Sequence, residues 1–262
     1  MRQSNGTQAQ YADAGNLNAR LRLHRQFSTN LLGWENWVFG QYELRPGQRI
    51  LELGCGSGAV WAARGGEVPA GVRLVLSDAS AGMLDCAKES TRALDFVRYQ
   101  VIDAQEIPYG EASFDAVIAN HMLYHVPRLE RALEEIDRVL RPGGALYATT
   151  LGRDNMLELT ALLRRFDPAI DFGQTALADA FGLESGEAKL RAFFDTVETR
   201  LYPDSLRVTE AEPLAAYVLS TQTAIAGEKI PLLHRYIERI IAEEGFVGIT
   251  KKAGMLIAEK AR

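Results

Sequence analysis

The chain has 262 residues, 47% of them hydrophobic and 24% charged, a size and balance that can bury one sizeable core and suit one elaborated α/β domain. Its formal net charge of -5 supplies no general attraction to a phosphate backbone or an anionic membrane, which argues against nucleic acid and membrane as partners. The polar start lacks an apolar core flanked by basic residues, and no stretch approaches the roughly 18 apolar residues of a membrane span, so the expected location is the cytoplasm.

Residues 17–42 carry Leu17, Leu21, Leu23, Phe27, Leu31, Leu32, Trp34, Trp37 and Phe39 at a spacing that predicts one or two amphipathic helices. The turn signal Arg45-Pro46-Gly47-Gln48 then leads into a short apolar strand, Ile50 to Leu53, that stops at glycines. Leu74-Val75-Leu76 reads as the second strand, and Ser80 as the cap of a helix carrying Met83, Leu84 and Ala87. Phe96 to Ile102 is the third strand. Phe114 to Ala119 is the fourth, and its nearly continuous apolar side chains suit a strand covered on both faces.

Pro127 suits the first turn of a helix with Leu129, Ala132, Leu133, Ile136, Val139 and Leu140 on one side. That helix ends at Arg141-Pro142-Gly143-Gly144, and Ala145 to Thr150 is the fifth strand. Further on, residues 154–194 read as mainly helical, Val197 to Tyr202 as a strand, and residues 210–244 as two helices. The close, Phe246 to Ile249 and Met255 to Ala258, reads as two strands joined by a turn at Lys251-Lys252-Ala253-Gly254. Alternating strands and helices predict a parallel sheet, and the C-terminal segment would complete it antiparallel. No internal repeat or low-complexity linker divides the chain.

Gly54-Cys55-Gly56-Ser57-Gly58 follows the first strand and precedes a helix near Ala59, so small residues stand where the backbone must turn sharply and approach a ligand. Asp78 ends the second strand, 22 residues beyond Gly56, where a carboxylate can accept from both hydroxyls of a ribose. Gly54-x-Gly56-x-x-Ala59 also meets the looser dinucleotide pattern, which would imply a nicotinamide or flavin, so the flanking residues must decide. Glu52 is an odd choice in a buried strand unless it is hydrogen-bonded or close to positive charge, and it suits a cationic ligand better than a pyrophosphate. Cys55 in this loop and Cys86 in a predicted helix read as free thiols.

Five blocks lie in order: Leu51-Glu52-Leu53-Gly54-Cys55-Gly56-Ser57-Gly58, Leu76-Ser77-Asp78-Ala79-Ser80, Asp103-Ala104-Gln105-Glu106-Ile107-Pro108, Phe114-Asp115-Ala116-Val117 and Val139-Leu140-Arg141-Pro142-Gly143-Gly144. Over roughly residues 45–150 the chain resembles the class I S-adenosylmethionine-dependent methyltransferases, in particular the small-molecule group with the type 11 methyltransferase domain. The resemblance implies a Rossmann-like α/β fold with a seven-stranded, mostly parallel sheet, an antiparallel C-terminal strand and a helical cover. It divides one overall domain into a helical lid over 1–44, a donor-binding core over 45–152, and a completion of the sheet with inserted cap helices over 153–262. S-adenosylmethionine is the implied cofactor, with Glu52, Gly54 and Gly56 at its methionine part, Asp78 on the ribose with Ala79 beside it, and Met83 on the adenine. Asp103 and the Ala104 amide would meet the adenine edge, Asn120 the amino-acid end, and Tyr11 would fold over the donor.

Methyl transfer is an in-line displacement, so the protein supplies alignment, water exclusion and, for some nucleophiles, a base. Ligands of parallel α/β sheets lie at the carboxyl ends of the strands, which makes His125, His121 and Tyr124 the candidate catalytic residues on a small-molecule acceptor. His121 and His125 lie four apart, but Met122 stands where a zinc-protease motif needs Glu, and no metal is expected. Two alternatives stay open: another use of the sulfonium (cyclisation, elimination or aminocarboxypropyl transfer releasing methylthioadenosine) and a non-catalytic donor-binding subunit. The chain reads equally well as a monomer or a homodimer.

Overall fold

A computed structural model describes residues 14–170, 174–221, 225 and 227–262. In chain order its elements are α1 (Ala14–Phe27), α2 (Trp34–Gln41), β1 (Arg49–Leu53), α3 (Ala59–Arg64), β2 (Arg73–Asp78), α4 (Ala81–Ser90), β3 (Val97–Val101), β4 (Phe114–Asn120), α5 (Leu129–Val139) and β5 (Leu140–Leu151). There follow α6 (Leu157–Phe166), α7 (Gln174–Phe181), α8 (Leu183–Leu190), β6 (Thr196–Val208), α9 (Ala211–Thr221), α10 (Ile230–Glu244) and β7 (Val247–Glu259). The chain forms two compact units: a core unit of Trp34–Arg153, Thr175–Tyr202 and Ala253–Arg262, and a second of Met1–Gly33, Asp154–Gln174 and Pro203–Lys252.

The sheet runs β3-β2-β1-β4-β5-β7-β6. β1 lies parallel between β2 and β4, and β3 and β5 extend the parallel set on either side. β7 returns antiparallel along β5, from Ala145↔Glu259 to Leu151↔Ala253. The strand order reverses between β1 and β4, the position at which such sheets bind their ligands, and the glycine turn and residues 120–125 lie at the carboxyl ends of these two strands.

Period-two alternation sorts the strand side chains onto two faces. Leu51, Leu53, Val117, Ala119, Leu146 and Ala148 join Ala132, Leu133 and Ile136 of α5 in one core cluster. Ile50, Ala116 and Ile118 join Trp61 of α3 with Leu84 and Ala87 of α4 in another. Leu133 and Ile136 are buried, and each such side chain contributes about 1.5–3 kcal/mol. The second unit has its own core, in which Leu23 and Phe27 of α1 pack with Leu159 and Leu163 of α6, Leu214 and Val218 of α9, and Leu233 and Ile237 of α10.

Local chemistry accounts for the element ends. Ser80 caps α4, its hydroxyl accepting from the Met83 amide at 3.4 Å. α10 stops at Gly245, which takes the left-handed conformation at φ 84° and donates to the Ile241 carbonyl at 2.8 Å. α5 closes at Val139, and Leu140 already pairs with Phe114 before the ladder shifts and resumes at Ala116↔Ala145.

The expected C-terminal hairpin is not formed: Val247–Glu259 is a single strand. Gly254 is absent from the glycines with positive φ and makes no turn; its role is close approach, since a Cβ there would come within 2.4 Å of the Arg200 carbonyl oxygen on β6. The two lysines are held in extended chain. Lys251 reaches the buried Asp204 carboxylate at 2.5 Å, and the Lys252 amide donates to Asn155 Oδ1 at 2.9 Å.

Candidate functional site

The turn after β1 is built on glycines in left-handed backbone, with φ 64° at Gly54 and 55° at Gly56. At Gly54 space is also short, because an added Cβ would lie 2.8 Å from Cβ of Met122, whose side chain backs the turn from beyond β4. Asp78 ties β2 to this turn: one carboxylate oxygen accepts from the Gly56 amide at 3.0 Å and the other from the Ser80 amide at 2.8 Å. Each of those oxygens keeps a lone pair for further donors, and the residue is half-buried. Ala79 beside it is exposed. Met83 is buried, with its methyl 3.7 Å from where a Gly56 side chain would begin.

Asp103 and Ala104 follow β3. The Asp103 carboxylate is exposed and accepts from the Gln105 amide at 2.9 Å, while Ala104 is packed into the core. The turn is anchored from α5. Glu135, nearly buried, accepts from the Ile107 amide at 2.9 Å, and Arg138 donates to Glu135 and to the carbonyls of Ile107 and Tyr109. Hydrogen bonds from Arg138 hold the Glu135 carboxyl below the usual range, against the opposing effect of burial.

Glu52 is 3% exposed, and neutral donors surround it. Trp61 Nε1 donates to one carboxylate oxygen and Asn120 Nδ2 to the other, the latter at 2.9 Å. Burial pushes the Glu52 carboxyl up to about 7; the two hydrogen bonds oppose that rise and the charge of Asp78 adds to it. Asn120 Nδ2 also donates to the Tyr42 hydroxyl at 2.9 Å, and Asn120 Oδ1 accepts from Thr149 Oγ1 at 3.2 Å. Both amide hydrogens of Asn120 are therefore engaged within the protein, leaving one lone pair on Oδ1 for a ligand. Burial, reinforced by Glu52, raises the Tyr42 phenol well above its ordinary value, so this hydroxyl stays protonated.

His121 follows Asn120 with φ 49°, an uncommon value for a residue with a side chain, and its amide donates to Thr149 Oγ1 at 3.0 Å. Its ring lies 5.0 Å from that of Trp34 and 6.1 Å from that of Tyr124. Tyr124 and His125 meet edge to face at 4.6 Å within a short 3₁₀ turn, so the two histidines do not share a helix face. Among the described residues no three His, Cys, Asp or Glu side chains are grouped as metal ligands. Cys55 and Cys86 are free thiols.

The structure thus gathers Glu52, Gly54, Gly56, Asp78, Met83 and Asn120 around one turn, with His121, Tyr124 and His125 following β4. Tyr11 lies outside the described residues. Sequence reasoning passed over Tyr42, Trp61, Met122 and Thr149; a buried Glu on β1 was the signal that polar partners such as Trp61 and Asn120 had to exist. A tight glycine turn, a strand-end carboxylate with lone pairs to spare and a buried carboxylate with neutral neighbours together fit a cationic adenosyl donor.

Residues 51–148 match the family model described as a methyltransferase domain. A demethylmenaquinone methyltransferase of Symbiobacterium thermophilum is 32% identical over 117 residues, 42% of this chain and 47% of that protein. A malonyl-[acyl-carrier protein] O-methyltransferase of Enterobacter lignolyticus is 37% identical over 122 residues, 45% of each chain. The chain spans only about a third to a half of the length of the curated relatives it matches. In fold it is similar to the YcgJ protein of Bacillus subtilis, with a TM-score of 0.60 and 15% identity, covering 87% of this chain and 98% of that one. The matched stretch, residues 51–148, is similar to a methyltransferase domain, and it holds the glycine turn, Asp78, Met83, Asn120 and residues 121–125.

Proposed function

We propose that the chain is an S-adenosylmethionine-dependent methyltransferase acting on a small-molecule acceptor. The observation that carries the reading is the cradle at the end of β1, where Gly54, Gly56, Asp78 and the Glu52–Asn120 pair converge. The donor supplies an electrophilic methyl group on a sulfonium; the protein's task is to hold it and to aim an acceptor along the line of displacement. In this reading Asp78 takes the ribose hydroxyls, Ala79 and Met83 lie against the adenosine, and Asp103 with the Ala104 amide reads the adenine edge. Asn120 Oδ1 accepts from the donor's ammonium.

His125 takes the proton from an oxygen or nitrogen nucleophile, with His121 and Tyr124 orienting the acceptor. The relatives are named for different acceptors, a demethylated menaquinone and a malonyl-carrier protein, so they support the class of reaction rather than one acceptor. The acidic balance favours a small molecule over nucleic acid.

The test is to incubate the protein with S-adenosylmethionine and a panel of hydroxyl, amine and activated-carbon acceptors and to identify the nucleoside product by mass spectrometry. Enzyme-dependent S-adenosylhomocysteine with an acceptor one methyl heavier is the expected result, and His125→Ala should lower kcat on a hydroxyl or amine acceptor by about 10²-fold or more. Methylthioadenosine above the no-enzyme level would overturn methyl transfer in favour of chemistry on the donor's own side chain.

A further inference from the structure

A buried carboxylate ordinarily has a cationic partner or loses its charge. Among the described residues Glu52 has no such partner. The groups that face it are Trp61 from α3, Asn120 from β4, Tyr42 from the segment before β1, Cys55 from the turn and Asp78 from β2. Trp61 and Asn120 are neutral donors, burial pushes the Cys55 thiol up, the Tyr42 phenol stays protonated, and Asp78 is itself acidic. The Ser77 hydroxyl donates to the Glu52 main-chain carbonyl at 2.6 Å and leaves the carboxylate to the other contacts.

We propose that Glu52 is substantially protonated in the donor-free protein and gives its proton to solvent when the cationic donor binds, making the site selective for the charged donor over its neutral-sulfur product. This rests on the methyltransferase reading. The balance is one proton released for each neutral Glu52 that ionises as the cation enters. When the methyl group leaves, the sulfur keeps the bonding electron pair and one positive charge disappears from the site. The carboxylate then faces less compensating charge, recovers a proton from solvent, and holds the product less tightly. Trp61 and Asn120 are positioning residues: their hydrogen bonds stop the carboxyl from rotating away and keep its ionisation within reach of neutral pH, where unassisted burial would carry it higher.

Calorimetric titration of S-adenosylmethionine into the 262-residue chain between pH 5.5 and 7.0 tests the proposal. In that range the donor's own α-amino group stays protonated, its ordinary pKa being about 7.7–8.0. Donor affinity should rise close to tenfold per pH unit at the acid end and flatten near the Glu52 midpoint of about 7. Titrations in two buffers of different ionisation enthalpy should show net proton release, and S-adenosylhomocysteine should show a shallower dependence. Glu52→Gln should bind donor independently of pH across the window. Trp61→Phe, which keeps Glu52 and removes one donor to it, should move the midpoint upward, so the test does not depend on the first variant folding. Equal pH dependence in wild type and Glu52→Gln, or wild-type binding without proton release, would overturn the proposal while leaving the methyltransferase reading intact. Failure to bind donor at any pH would overturn both.

Discussion

Glu52 also leaves a mark on stability that can be measured without any ligand. Its carboxyl sits at about 7 in the folded chain against an ordinary value of 4.5, so between those values the folded state holds a proton that the unfolded state has lost. The favourable contribution is complete below about pH 4.5 and is lost as pH rises towards 7, by about 3 kcal/mol as an upper figure. Urea unfolding of the donor-free protein at pH 5 and pH 7.5 should therefore show lower stability at the higher pH, and Glu52→Gln should remove most of that difference. An unchanged slope in the variant would assign the pH dependence to other groups. The residue was visible in the sequence as an acid where an apolar strand should be uniform. Its partners were not, because Trp61 and Asn120 reach it from nine and 68 positions away, through elements whose packing no local pattern specifies.

At the scale of elements, the strands with strong apolar runs and clear turn signals were legible to within a residue or two. Ile50 to Leu53 and Phe114 to Ala119 are the clearest examples, falling within Arg49–Leu53 and Phe114–Asn120. Residues 246–258 were not, because a glycine after two lysines imitates a hairpin turn while serving another purpose. Gly254 stands opposite Thr150 on β5 and against the Arg200 backbone on β6, where there is no room for a side chain. Gly254→Ala should cost several kcal/mol, since the obstructing atom is a main-chain carbonyl that cannot swing aside. Gly248→Ala on the same strand is the control, because a Cβ there meets only the Phe246 ring at 3.4 Å. Comparable thermal midpoints for the two variants would refute this account of why β7 is continuous.

At the scale of the whole chain, every described residue assigned to donor or catalysis falls in the core unit, whereas α1, α6, α9 and α10 pack around a separate hydrophobic core. A ligand that binds only the native state suppresses those openings that disrupt its site, by RT ln(1 + [L]/Kd), about 2.7 kcal/mol at a hundredfold excess over Kd. Hydrogen exchange with saturating S-adenosylmethionine should accordingly slow the amides of β1, β2 and β4 by up to about a hundredfold. Amides of α6, α9 and α10 that exchange through openings of their own unit should keep their rates. Equal slowing in both sets would mean that the two units open together and that the donor stabilises them as one. Slowing confined to β1, β2 and β4 would place the donor's grip in the core unit alone.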